Sequence, residues 1–391
     1  MILRNGCVVT PFEILRKADV KIEDGYITEI GNVTESTGQT IYDMHGAYIC
    51  PGFVDIHTHG GFGGDFMDAT DESFDNALRF HGVYGTTSVV PTSVTAPFEQ
   101  IEAMLNTVRR YRGQTPKTCR VLGAHLEGPY LSLKNKGAQK QEFIRVPARD
   151  GYSIFTNNAD VIIRVTIAPE LEGAAEMTKA LTEKGIVVFG GHDDGERDLI
   201  MPVVDAGLAG CTHWYCAMSV AAMRNQVRSV GLMEIGLIDD RLTLELIADN
   251  HHLPPELVRL AYRCKGAEKI CLVSDCLRAG GMPIDGKLYS LGLLGDETAQ
   301  RFKVADGVAV LPDGTRYAGS IQPLSQMVRN LVLDCNVPMV DAVRMASLTP
   351  ATVVGMQDCI GLVAVGKYAD LCILDGNLQV VNTMVNGQFL S

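Results

Sequence analysis

The first fifty residues alternate apolar and polar positions in short segments, Leu3 to Thr10, Ala18 to Glu23 and Tyr26 to Ile30. They are broken by Asn5-Gly6 and Asp24-Gly25, which is the chemistry of hairpin turns. This predicts a small antiparallel sheet. From Pro51 the pattern changes to short apolar runs that alternate with helix-period stretches. The runs are Val54 to His57, Thr86 to Pro91, Arg120 to His125, Val161 to Ala168, Gly185 to Gly190, Gly210 to His213, Leu242 to Ala248 and Lys269 to Ser274. The helical stretches are Asp71 to Val83, Phe98 to Arg112, Glu170 to Lys184, Asp198 to Ala206 and Pro255 to Cys264. Met218 to Asp239 gives no clean single helix and is left open. Eight strands alternating with helices are the count of a (β/α)8 barrel.

Residues 279 to 319, rich in Gly and Asp, read as hairpins inserted at the barrel mouth. Pro323 to Asn336 and Met339 to Ser347 read as helices. Gly361 to Ser391 returns to the short alternating segments of the start, so the two ends are expected to pair into one small β-domain. The boundaries fall at 1–50, 51–355 and 356–391.

Composition changes this picture little. The chain has 391 residues, 46% hydrophobic and 20% charged, enough for one large core. Its formal charge of −12 argues against nucleic acid or an anionic membrane surface as partner, though not against a small anionic substrate. The eleven cysteines form no Cys-x-x-Cys pair. The first residues hold no apolar stretch of signal-peptide length, and no run approaches a membrane span. Reduced thiols in a cytoplasm are the expectation.

Candidate chemistry gathers at the predicted strand ends, where barrel enzymes carry their reactive groups. Strand one ends in His57-Thr58-His59, whose two imidazoles share a face. Strand three ends in His125-Leu126-Glu127-Gly128-Pro129, strand five in Gly191-His192, strand six in Thr212-His213 and strand eight in Ser274-Asp275. A lone strand-end histidine is more often a hydrogen-bonded structural residue. With His125 undecided, four histidines and two carboxylates converging on one mouth point instead to a metal site. Imidazole and carboxylate suit zinc or iron, and a carboxylate beside an activated water can move its proton. The reading is metal-dependent hydrolysis.

Other features have blander readings. The loop Gly60-Gly61-Phe62-Gly63-Gly64 lacks the Gly-Lys-Ser/Thr of a nucleotide cradle and is expected to let the backbone pass close to the metals. Lys134, Lys136 and Lys140 read as a phosphate attractant or a solvated face, and Trp214 as a sugar platform or packing beside His213. His45 and His81 read as structural. The cysteines are small apolar fillers, Cys216 at the site mouth excepted.

Pro51-Gly52-Phe53-Val54-Asp55-Ile56-His57-Thr58-His59-Gly60, with His125-Leu126-Glu127-Gly128-Pro129, Gly191-His192, Thr212-His213 and Val273-Ser274-Asp275, resembles the N-acetylglucosamine-6-phosphate deacetylases of the amidohydrolase superfamily. The likeness runs to Gly366-Lys367-Tyr368-Ala369-Asp370-Leu371. It implies a (β/α)8 TIM-type barrel with a second, small β-sandwich domain built from both termini. It implies that Glu127, His192 and His213 bind the main metal. His57 and His59 would hold a second, bridged by Glu127, where two ions rather than one are bound, since some members lack this pair and keep one metal. Asp275 would act as general base and then acid. The ion would be zinc, with iron, manganese or cobalt as alternatives. The products would be acetate and an amino-sugar phosphate.

On the substrate side the resemblance implies roles for Ala138, Gln139, Cys216, Ala217, Arg224, His252, Ala318, Gly319 and Ser320. Three of these neighbourhoods depart from the family pattern: Gln139 stands for a histidine, Cys216 for an asparagine, and Asn250 for a glycine near His252. A neutral Gln139 amide donates a hydrogen bond but cannot become a cation, so its help to the transition state should weaken. A homodimer is implied, with Arg224 and His252 reaching the partner's site. The alternatives left open are N-acetylgalactosamine 6-phosphate, an unphosphorylated N-acyl amine, or a non-catalytic oligomeric barrel.

Overall fold

The structure, a computed structural model, describes residues 1–390 apart from Ser36, Asn225 and the side chain of Arg224. Eight parallel strands carry the site: β1 (Phe53–Thr58), β2 (Thr86–Pro91), β3 (Ala124–Glu127), β4 (Ile162–Ile167), β5 (Val187–Gly190), β6 (Gly210–Cys211), β7 (Thr243–Leu246) and β8 (Ile270–Leu272). β1 pairs with β2, and β3 through β8 form a continuous parallel sheet in sequence order. A parallel bridge between Thr92 and His125 links the two sets. At the other edge Asp275 N donates to His57 O at 2.9 Å. The arrangement fits a TIM-type domain. Parallel strands covered on both faces must be apolar throughout, and all six residues of β1 are buried, its histidine included.

Helices Asp71–Val83 and Phe98–Arg112 occupy the predicted spans. The helix predicted over Glu170 to Lys184 is shorter, Ala174–Thr182. Gly173 has φ 84, and a Cβ there would meet Ala148 N at 2.8 Å, so the helix starts only after it. The predicted third strand is broken into Arg120–Val121 and Ala124–Glu127. At Gly123 between them a Cβ would meet Ile163 Cγ2 at 2.6 Å, and only glycine lets the chain cross there. The open stretch after Met218 resolves into a hairpin, Ala222–Arg224 with Val227–Ser229, and a helix, Leu232–Ile238. Residues 288 to 319 form a four-stranded antiparallel sheet, as the inserted hairpins required. A helix at Leu348–Val353 was not foreseen.

Both termini enter one eight-stranded sheet, with Leu371–Leu374 antiparallel to Tyr48–Pro51 and Tyr48–Pro51 parallel to Ile2–Val9. Its own buried cluster includes Leu3, Val8, Val20, Ile27, Ile49, Leu371 and Met384. The turn at Asp24-Gly25 has positive φ at both residues, as the hairpin chemistry demanded. Asn5-Gly6 differs from the expectation. It is no turn but a register shift inside Ile2–Val9, where a Cβ on Gly6 would sit 2.4 Å from Ile49 Cδ1.

The helix Asp71–Val83 begins at Thr70, whose hydroxyl accepts from Ser73 N at 3.2 Å. Replacing Thr70 by Ala leaves that N–H without its cap and should cost about 1 kcal/mol, read as a lower urea midpoint at unchanged activity. Among the described residues no helix is long and apolar enough to cross a membrane.

Candidate metal centre and active site

The ends of β1, β3, β5, β6 and β8 deliver two buried clusters. In the first, Glu127 Oε1 lies 3.1 Å from His192 Nε2 and 3.0 Å from His213 Nε2, and those two nitrogens are 3.2 Å apart. In the second, Asp275 Oδ1 lies 3.1 Å from His59 Nε2 and 3.6 Å from His57 Nε2. Glu127 reaches both clusters, with Oε1 3.6 Å from His57 Nε2 and Oε2 3.5 Å from His59 Nε2. The backbone turns sharply where these side chains emerge: His192, His213 and Asp275 have φ of 48, 31 and 46°. Non-glycine residues rarely adopt such φ values, and here they end the strands and swing the side chains inward. His213 N leaves the ladder and donates to Glu245 Oε2 at 3.0 Å instead, which is why β6 stops two residues early.

The tautomers follow from the partners. His192 Nδ1 faces Asn135 O at 2.8 Å and His213 Nδ1 faces Cys216 O at 3.1 Å. A carbonyl only accepts, so each Nδ1 carries hydrogen and each Nε2 is turned toward Glu127. Burial alone would lower His213 and His59, but Glu127 and Asp275 outweigh it and push both up to about 9. Burial would likewise raise Glu127, but His57, His192 and His213 hold it well below the usual carboxylate range. His57 Nε2 and His59 Nδ1 are buried without a hydrogen-bond partner. Two sets of three donors, each within 4.8 Å, made only of imidazole and carboxylate, fit divalent metal ions.

Behind the clusters lies a group the strand-end argument missed. Glu245 and Arg164 are fully buried and paired, and Arg164 Nη1 also donates to Ile56 O at 2.9 Å. Glu245 Oε2 faces His57 Nδ1 at 3.2 Å, so one carboxylate orients a histidine of each cluster. Burial would raise Glu245, but Arg164 and His57 outweigh it and hold its pKa low. The signal was available: single charges inside the apolar runs of strands four and seven have to be paired when buried. His125, left undecided, is structural. It lies between Thr92 Oγ1 at 3.2 Å and Thr166 Oγ1 at 2.8 Å, and burial holds it well below its ordinary pKa.

A cleft of about 400 Å³ opens above the clusters, lined by His59, Glu127, His192, His213 and Asp275. A model of the Amidohydrolase family matches residues 48–390. This chain belongs to the amidohydrolase family. An N-acetylglucosamine-6-phosphate deacetylase of Vibrio furnissii is 34% identical over 343 residues, covering 88% of this chain and 82% of that protein. An N-acetylgalactosamine-6-phosphate deacetylase of Escherichia coli O157:H7 is 32% identical over 391 residues, covering 100% of this chain and 99% of that protein. The crystal structure of an N-acetylglucosamine-6-phosphate deacetylase from Pasteurella multocida matches with a TM-score of 0.91 at 27% identity, covering 100% and 99% of the two chains.

In this amidohydrolase the cleft also takes in Ala138, Gln139, Cys216, Ala217, His252, Ala318 and Gly319. Burial pushes the Cys216 thiol up to about 12, so it is a neutral thiol. His252 is set by Asp249, whose Oδ2 lies 2.8 Å from Nδ1, and its ring packs 4.8 Å from Tyr317. Asn250 takes the place of glycine by adopting φ 64, a conformation asparagine tolerates, with its amide on Asp334 at 2.7 Å. Ser320 is buried behind the cleft rather than on it, and Ser320 N donates to Asp275 O at 2.9 Å. The backbone of Arg224 lies in the hairpin strand Ala222–Arg224, and its side chain lies outside the described residues.

Several bland readings resolve. Trp214 is fully buried with its indole N–H on Met233 O at 2.9 Å, so it packs in the core and is no sugar platform. Lys134 pairs with Asp194 at 2.7 Å and Lys140 with Asp296 at 2.8 Å. The Gly60 loop is crowded by other backbone and by the Phe80 ring rather than by the metal ligands: a Cβ on Gly60 would meet Gly64 O at 2.1 Å, one on Gly61 would meet Phe80 Cδ1 at 2.5 Å, and one on Gly64 would meet Ser73 O at 2.2 Å. His45 is exposed beside Asp43, while His81 is buried against Thr58 Oγ1 at 2.8 Å. The cleft residues Asn135, Arg316 and Tyr317 had no strand-end or motif signal.

Proposed function

We propose that this amidohydrolase removes acetyl from N-acetyl-D-glucosamine 6-phosphate to give glucosamine 6-phosphate and acetate. The observation that carries the reading is the pair of buried clusters, Glu127–His192–His213 and His57–His59–Asp275, on the floor of the cleft. Relatives over nearly the whole chain bear that activity in their names. When bound, the ion supplies Lewis acidity and a more acidic water, zinc being the first choice and iron, manganese or cobalt the others. Glu127, His192 and His213 would hold the main ion, and His57 and His59 would hold a second where one binds.

Asp275 is the proton carrier. Burial would raise its pKa, but His59 and His57 hold it low, so the carboxylate is free to accept a proton from water. The same oxygen then protonates the departing amine. This separates the reading from a non-catalytic scaffold, which has no use for a carboxylate so placed. Ala138, Ala318 and Gly319 shape the acetyl and sugar side, while Cys216, Ala217 and His252 face the phosphate.

The chain works as a homodimer in the cytoplasm, with Arg224 serving the partner's site, whereas His252, expected to reach across with it, lines the cleft of its own chain. Exposed Val220, Met223 and Val227 on and before the hairpin support a partner surface there, and eleven free thiols suit a reducing compartment. Residues 1–50 and 356–391 make up the small β-domain around the one sheet that both termini enter, and residues 51–355 the closed (β/α)8 barrel.

N-acetylgalactosamine 6-phosphate is the second reading, favoured by the relative that carries that name at 32% identity. Acetate release from both sugar phosphates and from unphosphorylated N-acetylglucosamine decides between them. The expected result is turnover of the glucosamine form that a chelator abolishes and added zinc restores. Turnover of none of the three would sink the proposal.

A further inference from the structure

Gln139 stands at the cleft, yet its carboxamide is engaged on the protein side. Its Oε1 accepts from the backbone N–H of Thr95 at 2.7 Å, and its Nε2 donates to Glu127 Oε2 at 2.8 Å. The amide cannot be turned round, because a backbone N–H only donates and a carboxylate held ionised only accepts. Gln139 is 4% exposed and Glu127 3%, so water does not compete for either bond. The same loop grips a second ligand: Asn135 O takes His192 Nδ1 at 2.8 Å, and a Cβ on Gly137 would sit 3.1 Å from His192 Cε1. Thr95 in turn ties the loop down, its hydroxyl accepting from Lys140 N at 3.0 Å.

We propose that Gln139 is a positioning residue of the metal centre, clamping Glu127 Oε2 so that Oε1 stays aimed at His192 and His213. A carboxylate turns easily about its terminal bond, and ordering it on binding lowers affinity. A donor on Oε2, itself locked by Thr95, removes that freedom in advance. Because the donor is neutral, Glu127 keeps its full charge for the ion, which a cation at this position would partly cancel. The residue thus acts through Glu127.

The inference rests on the metal reading of Glu127, His192 and His213, not on the identity of the sugar. The test compares full-length wild type with Gln139→Met, which matches the length without a donor, and with Gln139→Asn, which keeps the amide but is too short for both bonds. The first-ion affinity for zinc is measured by competition with a chromogenic chelator. Both variants are expected to bind 10–100-fold more weakly, with kcat returning toward wild type at saturating zinc and KM nearly unchanged. A role in stability alone would move the melting temperature and leave the affinity in place. Unchanged affinity in either folded variant, or a fall in kcat that saturating zinc does not repair, overturns the clamp and makes Gln139 a substrate contact. If wild type binds zinc but releases no acetate from any sugar phosphate, the proposed function fails while the affinity comparison still decides this point.

Discussion

Asp275→Asn is expected to lower acetate release about 10²–10⁴-fold, the range that positioned proton transfer supplies. The substitution keeps the size of the side chain and its place beside His59 Nε2, 3.1 Å from Oδ1. It removes the ability to take a proton from water and return it to the amine. The three donors Glu127, His192 and His213 are untouched, so one ion per chain should remain by elemental analysis. The loss should appear in kcat more than in KM, because a proton carrier acts in the transition state. Turnover within a few-fold of wild type would remove Asp275 from the mechanism.

Glu245→Ala is expected to be the most destabilising of these substitutions, by about 3–5 kcal/mol, because it leaves the Arg164 guanidinium buried and unpaired. Arg164 is 0% exposed, packs 4.4 Å over the Phe189 ring, and has no path to water. The effect should also reach the site. Glu245 Oε2 holds His57 Nδ1 and the backbone N–H of His213, so both clusters lose an orienting contact and metal affinity should fall with stability. Urea unfolding of the metal-free protein reads the first effect and chelator competition the second. A change under 1 kcal/mol with full metal affinity would show that Arg164 finds other partners, such as Ile56 O, sufficient.

Much of this protein is legible in its residues alone. The alternation of β-runs and helical stretches specifies the parallel strands, because buried strands must be apolar throughout and surface helices must be apolar on one stripe. The strand-end rule then places His57, His59, Glu127, His192, His213 and Asp275 at one mouth before any contact is known, and the structure brings all six together. Turn chemistry at Asp24-Gly25 is equally local, since it concerns the φ of adjacent residues.

What the tertiary structure alone decided involves partners far apart in sequence. Asn5-Gly6 carries the same turn signal as Asp24-Gly25 yet lies within a strand, because Ile49 packs against it from another strand. The helix start after Gly173 and the strand break at Gly123 depend on Ala148 and Ile163 in the same way. Trp214 went into the core and His125 became structural because their partners, Met233 O and the hydroxyls of Thr92 and Thr166, come from other segments. Gln139 shows the limit most clearly. Its neutrality was plain from the sequence, but its engagement with Glu127 was not. Residue type determines which bonds a side chain is able to form, and only the fold determines which atom stands 2.8 Å away to receive one.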